Sequence, residues 1–396
     1  MACLGKIHKR KRKRIISWSC QMAVVNKILI VGGGVAGLSA AIALQKIGMN
    51  CDVVEIGEEP VGASMSLSGR ATDALVELGV YDECYESGAP FRPEMSSPVM
   101  HDSAGKPMGA APPRPEKPNA KVPIGVFRPT FARILEKHAI SLGANLMKGM
   151  TVDSIGNSAS GANVILSDGS EARYDLVVGA DGINSRVRKL IFTDAPEPQY
   201  AGQMSIRWMI PGPRIEGEAW YVAEKGRLGF FHMPKQELVY VPLVVNMEDR
   251  RLSQQDAYEI VDELLSTYSA PAVVNLRSHL KPDSTLICRP FKYIFVPSPW
   301  YRDRVLLIGD AAHATTAHMG MGAGMALEDS VVLAQSIASS KSIEEALSYF
   351  MERRLKRVKT VVETSVALSK LEQINAPREE NSKLMGAAYA LISHPY

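Results

Sequence analysis

Lys27-Ile28-Leu29-Ile30-Val31-Gly32-Gly33-Gly34-Val35-Ala36-Gly37 passes from a β-branched strand through a glycine turn into the helical stretch Leu38 to Gln45. Gly32, Gly34 and Gly37 spell G-x-G-x-x-G between a strand and a helix, the context that gives this motif its meaning. Gly32 permits the tight turn, Gly34 lets the backbone approach a pyrophosphate, and Gly37 lets helix and strand pack closely. Val35 and Ala36, between these glycines, are cofactor-binding candidates with them, and the free amides and positive dipole end of the helix that follows suit that anion. A second strand, Cys51 to Glu55, ends in a carboxylate about twenty residues on, the position of a ribose ligand. A glycine turn in an unrelated α/β protein would share the bare motif. The flanking strands, the helix and Glu55 together favour a Rossmann-like dinucleotide site.

Two further apolar runs end in Gly and Asp. Asp175-Leu176-Val177-Val178-Gly179-Ala180-Asp181-Gly182 is followed by Ser185, Arg186 and Arg188. Arg304-Val305-Leu306-Leu307-Ile308-Gly309-Asp310-Ala311-Ala312-His313 is followed by Gly320-Met321-Gly322-Ala323-Gly324 and then Glu328-Asp329. An aspartate at the end of a buried strand can accept hydrogen bonds from a sugar-like hydroxyl. The small residues after it let backbone amides approach an anion or a flat ring.

With these motifs the chain resembles the class A flavoprotein monooxygenases, the family of para-hydroxybenzoate and salicylate hydroxylases, from about Lys27 to about Arg357. The resemblance implies FAD as cofactor. Gly32 to Gly37 and Glu55 would hold its ADP half, and Asp181-Gly182 matches a motif linked to FAD and to nicotinamide binding. The Asp310 of Gly309-Asp310 would bind the ribityl chain. Arg128 matches the family arginine near the FAD, and Gly320, Met321, Gly322 and Ala323 would lie beside the flavin ring. The resemblance also implies NADH or NADPH as reductant, O₂ as co-substrate, and oxygen transfer from a flavin C4a-hydroperoxide to an aromatic or heteroaromatic small molecule. Strands 218–245 and the run 326–329 look most like quinolone-type and urate-type hydroxylases. Ala314 and Ala317 stand where the family has prolines, and Met321 where it has glutamine. The loop beside the flavin is therefore expected to be less rigid.

The 396 residues, 46% of them hydrophobic, can bury a large core and suggest two to three subdomains. Net charge is +3, and much of the excess lies in Lys6, Lys9, Arg10, Lys11, Arg12, Lys13 and Arg14. Without them the chain is slightly acidic, which argues against a nucleic-acid-binding body. The cysteines lack paired metal spacing and read as reduced thiols, consistent with a cytoplasmic enzyme. No apolar run is long enough for a transmembrane helix. Residues 1–21 read as a disordered basic extension or as upstream sequence from a misassigned start, with Met22 just before the first strand. A nuclear-localisation or phosphate-binding role for the block is the alternative.

The expected fold is α/β. A discontinuous FAD-binding domain (22–90, 124–198 and 297–340) is interleaved with a β-sheet substrate domain (91–123 and 199–296), and a C-terminal helical region follows (341–396). The proline-rich stretch 91–123 reads as an extended loop. The last helical region should carry a charged face at Glu352, Arg353, Arg354, Lys356 and Arg357. The middle sheet is the expected substrate roof, with Arg207, Trp208, Trp220, Tyr221, Phe230, Phe231, His232 and Tyr240; alternation lets about half face the flavin. Met209, Met233, Met319 and Met325 would add adaptable apolar surface. Arg207, Tyr221, His232 and His318 are the catalytic candidates, His232 as general base and His318 as a substrate contact near the ring. His313 reads as structural, and no metal site is expected. Monomer and homodimer both remain open. So do a related flavoenzyme acting on a non-aromatic or antibiotic substrate, by hydroxylation or epoxidation, a flavin dehydrogenase, and a non-catalytic FAD-binding scaffold.

Overall fold

The computed structural model describes residues 25–60, 62–91, 99–110 and 120–396. The basic extension 1–21, Met22, and Pro112, Pro113, Pro115 and Pro118 lie outside the described residues. Among those described, the main sheet runs in the order Tyr301–Arg302, Val305–Leu307, Leu176–Gly179, Lys27–Val31, Asn50–Glu55, Asn145–Lys148. All its pairings are parallel except that of the short edge strand Tyr301–Arg302. The chain builds outward from Lys27–Val31 to one side, then crosses to Leu176–Gly179 on the other. That reversal leaves a crevice at the carboxyl ends of these two strands, the place where open α/β sheets bind ligands. Val31 is in register with Gly179 and Val54, and Gly179 with Leu307. Three motifs far apart in sequence therefore finish at one edge of one sheet.

Helix Val35–Gln45 is apolar on every side, and Ala36 to Leu44 are all buried. Such a helix has to be covered all round. It packs against helices Arg128–Ser141 and Gly322–Ser339, and Gly322–Ser339 packs in turn on helix Ile343–Gln373. A second sheet contains Leu286–Tyr293, Gln199–Pro211, Leu238–Asn246, Gly226–Gly229 and Trp220–Ala223 in that order. Its outer face, with Met204, Ile206, Trp208, Val239, Val241 and Leu243, forms a separate core against helices Gln254–Ser266 and Pro271–Ser278. Helix Gln254–Ser266 begins with a capping box between Ser253 and Asp256, its start signal in the sequence.

Two expectations need correction. Within the proline-rich stretch, Val99–His101 and Pro107–Ala110 pair as an antiparallel hairpin, and Val99–His101 joins the roof sheet beside Trp220–Ala223. The C-terminal region does not present all its charges to solvent. Arg354 and Arg357 are buried, because Glu328 and Asp329 of the neighbouring helix face them as partners.

Candidate active site

The crevice opens into one cavity of about 1430 Å³ that reaches from Gly34, Val35 and Ala36 to the roof sheet. Gly32 starts it with φ +107°, and a Cβ there would sit 2.4 Å from the Ala180 carbonyl oxygen. Gly34 precedes the helix with no side-chain cap, and nothing lies within 4 Å of where its Cβ would be. The first helical amides thus face open space, as an anion site requires. Glu55 accepts from Gly33 N at 2.6 Å and from Gly57 N at 2.7 Å, which aims its carboxylate beside the turn.

The third motif is built from behind. Gly309 has φ +57°, and a Cβ there would meet the Ala36 Cβ at 2.8 Å, so this turn needs glycine. Its N–H donates to Asp329 Oδ2 at 2.9 Å, and His313 Nε2 lies 2.7 Å from the same oxygen. Arg354 Nε donates to the other oxygen at 2.7 Å. Burial acts to raise the Asp329 pKa, but His313 and Arg354 outweigh it and hold the carboxyl below its usual range. Asp310, next in the chain, is open to the cavity. The surrounding protein pushes its carboxyl up, opposed by His313 and Arg128. His313 is structural, as its motif suggested.

Gly320, Met321, Gly322 and Ala323 border the cavity, as does Arg128, the first residue of helix Arg128–Ser141. The loop before them is tied down despite its missing prolines. Ile294 N donates to Ala314 O at 2.9 Å, Thr316 Oγ1 donates to Ser365 O at 3.0 Å, and Met319 and Met321 are buried. These hydrogen bonds and this packing act where the family's prolines would otherwise constrain the backbone.

Asp181 is a further correction. Its Oδ2 accepts from Arg186 N and Val187 N at 2.6 and 3.1 Å, and its Oδ1 accepts from Ser185 Oγ at 2.5 Å. The carboxylate closes the turn into helix Arg186–Ile191. Ala180 and Gly182 line the cavity in its place.

The roof follows strand alternation. Ser205, Arg207, Trp220, Val222, Tyr240, Pro242 and Val244 face the cavity. Tyr221 does not. Its ring is stacked on Phe230 and buried in the outer core, and its hydroxyl donates to Gly217 O at 2.9 Å. Trp208 and Phe230 also turn outward, whereas Phe231, His232 and Met233 line the cavity. Of the expected methionine lining, Met233 and Met319 are present; Met209 and Met325 are not part of it. Arg128 and Arg207 lie close enough that burial and their mutual repulsion depress the Arg128 pKa, with Asp310 and Tyr240 opposing. Burial pushes the Tyr240 hydroxyl up against the pull of both guanidiniums. His318 is brought to the wall, along with Arg227 and Glu372, which sequence reasoning missed. Glu372 lies 145 residues from Arg227 and no local pattern marks either. Among the described residues no His, Cys, Asp and Glu cluster could hold a metal ion, and no helix is long and apolar enough to cross a membrane.

The open helix N-terminus, the cavity-facing Asp310 and the small-residue loop fit an ADP moiety, a ribityl chain and a flat ring in one continuous space; Glu55 stands at the glycine turn and is not among the residues that line that space. The comparisons agree. The FAD binding domain family matches residues 26–365. The FAD-dependent urate hydroxylase of Klebsiella pneumoniae is 30% identical over 355 residues, covering 85% of this chain and 88% of its own. The 2-heptyl-3-hydroxy-4(1H)-quinolone synthase of Pseudomonas aeruginosa is 29% identical over 362 residues, covering 88% and 90%. The solved structure of Klebsiella pneumoniae HpxO with FAD and uric acid superposes with a TM-score of 0.74 at 25% identity, covering 93% of this chain and 92% of that one. The architecture is the expected para-hydroxybenzoate hydroxylase-like one.

Proposed function

Because the chain belongs to the FAD binding domain family of flavoprotein monooxygenases, we propose that it uses NADH or NADPH and O₂ to hydroxylate a flat aromatic or heteroaromatic molecule. The observation that carries this reading is the shape and polarity of the cavity. At about 1430 Å³ it exceeds the roughly 300–1,000 Å³ of a single ligand site, leaving room for a second flat ligand beside the cofactor. Its apolar wall holds Trp220, Phe231, Met233 and Phe291, and its polar groups converge at Arg207, Arg128 and Tyr240. Urate and quinolone, named for the two relatives, are flat nitrogen heterocycles of the kind such a wall accepts.

Bound FAD supplies electron storage and oxygen activation, chemistry no side chain here provides. The protein supplies the rest. The helix at Val35, Glu55 and Asp310 hold the cofactor, and the loop 320–323 supports its ring. Arg207 and Arg128 stabilise negative charge on the substrate ring, where a dry wall strengthens their field. His232, which lines the cavity, accepts the proton the ring must lose to become electron-rich, and His318 forms part of the wall beside the ring. Phe231 and Met233 help exclude water from the oxygen-transfer step.

The test is a panel of phenols and N-heteroaromatics screened for stimulated NADH and NADPH oxidation, with hydroxylated product measured alongside. Stimulation coupled to product from a flat ring supports the reading. Stimulation confined to non-aromatic compounds, or reductant oxidation with no product from any compound turned over, refutes it. Arg207→Gln should raise KM and lower kcat together, whereas Tyr221→Phe should leave both near wild type.

A further inference from the structure

Arg207 and Arg227 both take cavity-facing positions on roof strands, and the reading above uses only the first. Register fixes how they sit. Arg207 pairs with Pro242, and Arg227 pairs with Val244 from the other side of the same strand, Leu238–Asn246. They are therefore about 7 Å apart along the strands and about 10 Å across them. Pro242 and Val244 share the cavity face and lie between the two. The roof thus offers a flat ring an apolar seat with a guanidinium at each of two diagonal corners.

Arg227 is fixed before any ligand arrives. Its guanidinium carbon lies 5.0 Å from the centre of the Trp220 ring. Glu372 Oε2, near the end of helix Ile343–Gln373, lies 2.7 Å from Arg227 Nε, but that N–H is not aligned for a hydrogen bond. Among the described residues no acceptor takes an Arg227 N–H; Nε is sealed off, whereas the terminal nitrogens open on the cavity. A planar donor fork held from two sides, with its outer edge free, is preorganised for a planar acceptor.

Glu372 decides which acceptor. Its Oε1 accepts from Gln203 Nε2 at 3.1 Å, and Gln203 is held in turn by Ser369 Oγ at 2.6 Å. Burial opposes the Glu372 charge, but Arg227 and His318 outweigh it and hold the carboxyl at about 2. His318 Nε2 lies 3.5 Å away, and burial holds that imidazole below its usual value, so it adds no charge near neutrality. The charges of Arg227 and Glu372 therefore cancel. A carboxylate reaching Arg227 would leave water for a site of no net charge and would face Glu372, which also borders the cavity. A neutral carbonyl or lactam edge accepts the same N–H groups without that cost.

We propose that Arg227 is a specificity-determining residue: it receives a neutral carbonyl or lactam edge of a flat ring whose opposite end meets Arg207, and Glu372 turns away rings that carry a carboxylate there. The inference rests on the ring-hydroxylating reading and narrows its substrates to rings with an uncharged oxo group.

The test uses full-length, FAD-loaded enzyme and ring compounds of similar outline: a quinolone, a naphthoate and a methylnaphthalene. Binding is read from the perturbation of flavin absorbance, without turnover. Wild type should hold the quinolone roughly tenfold more tightly than either of the others. Arg227→Met keeps an apolar stem over Trp220 and should erase the advantage over methylnaphthalene while FAD content holds. Glu372→Gln leaves the Arg227 charge uncompensated and should tighten naphthoate binding roughly tenfold, with quinolone binding changed little. Naphthoate or methylnaphthalene bound by wild type as tightly as the quinolone would overturn the proposal with no variant needed. So would a quinolone advantage that survives in FAD-loaded Arg227→Met, or naphthoate affinity unmoved in FAD-loaded Glu372→Gln. Absence of hydroxylated product from every ring compound, with these binding preferences intact, would instead refute the ring-hydroxylating reading alone.

Discussion

At the scale of single residues, the account turns on where a side chain points. Glu55 has both oxygens steered by backbone amides of Gly33 and Gly57. Glu55→Ala should therefore weaken FAD retention by about 1.5–3 kcal/mol for each charge-assisted bond lost to the ribose. Titrating apoenzyme with FAD by flavin fluorescence measures this, and unchanged affinity would remove Glu55 from the cofactor site. Tyr221 and Tyr240 make a sharper pair. Both are aromatic residues on roof strands, but Tyr221 is sealed in the outer core while Tyr240 faces the cavity between the arginines. Tyr221→Phe should cost about 1 kcal/mol of stability with kcat preserved, and Tyr240→Phe should lower kcat with stability preserved. The sequence made all eight aromatic and polar roof residues legible as a group but not the phase of each strand. Phase depends on where the preceding turn ends, and one residue of slip reverses every side chain. Asp181 was misread for a related reason: a carboxylate after a strand serves a ligand or a helix cap equally well, and only the position of Ser185, Arg186 and Val187 around it decides.

At the scale of elements, buried ion pairs tie helix Gly322–Ser339 to helix Ile343–Gln373. Glu328 Oε2 takes Arg354 and Arg357, each at 2.6 Å, and all three side chains are buried. Removing one partner leaves a buried charge uncompensated, at a cost of about 3–5 kcal/mol. Arg354→Met should lower the melting temperature and loosen FAD together, because Asp329 also holds the Gly309 turn. Asp329 adds an acid sensitivity whose sign is clear. Its depressed pKa contributes stability that is complete above the unfolded aspartate value of about 3.9 and lost as pH falls toward the folded value. Equilibrium unfolding across acidic pH should show that loss reduced in Asp329→Asn. The turn that leads into helix Gly322–Ser339 makes its own prediction. At Gly322 an added Cβ would meet only Thr315 Cγ2 at an ordinary 3.6 Å, so Gly322→Ala should be tolerated. Gly322→Leu should push its branch into the cavity and raise hydrogen peroxide released per product formed. Unchanged coupling in that variant would place the loop away from the chemistry. Helix Gln254–Ser266 carries its start signal locally, in the capping box of Ser253 and Asp256. The arginines of the long helix were read as a charged face because their partners lie on another helix, beyond the reach of local periodicity.

At the scale of the whole molecule, three segments distant in sequence close on one edge of a parallel sheet, and a second sheet covers the opening. The strand-glycine-helix and strand-Gly-Asp patterns made the first part legible, because each motif states its own local geometry. The hairpin 99–110 escaped, since its strands are short, proline-flanked and defined by a partner, Trp220–Ala223, more than a hundred residues on. The Arg227–Glu372–His318 cluster escaped for the same cause. Starting the chain at Met22 should leave FAD content and melting temperature unchanged, because the basic segment has no patterned apolar face to bury; a large loss of either would make it part of the enzyme. The central claim is that the cavity inserts oxygen into a flat ring. Its most direct test is turnover under ¹⁸O₂ of whichever ring compound best stimulates NAD(P)H oxidation, followed by mass spectrometry of the product. The account predicts one ¹⁸O atom per product molecule; an oxidised product without ¹⁸O, or with oxygen drawn from water, would contradict it.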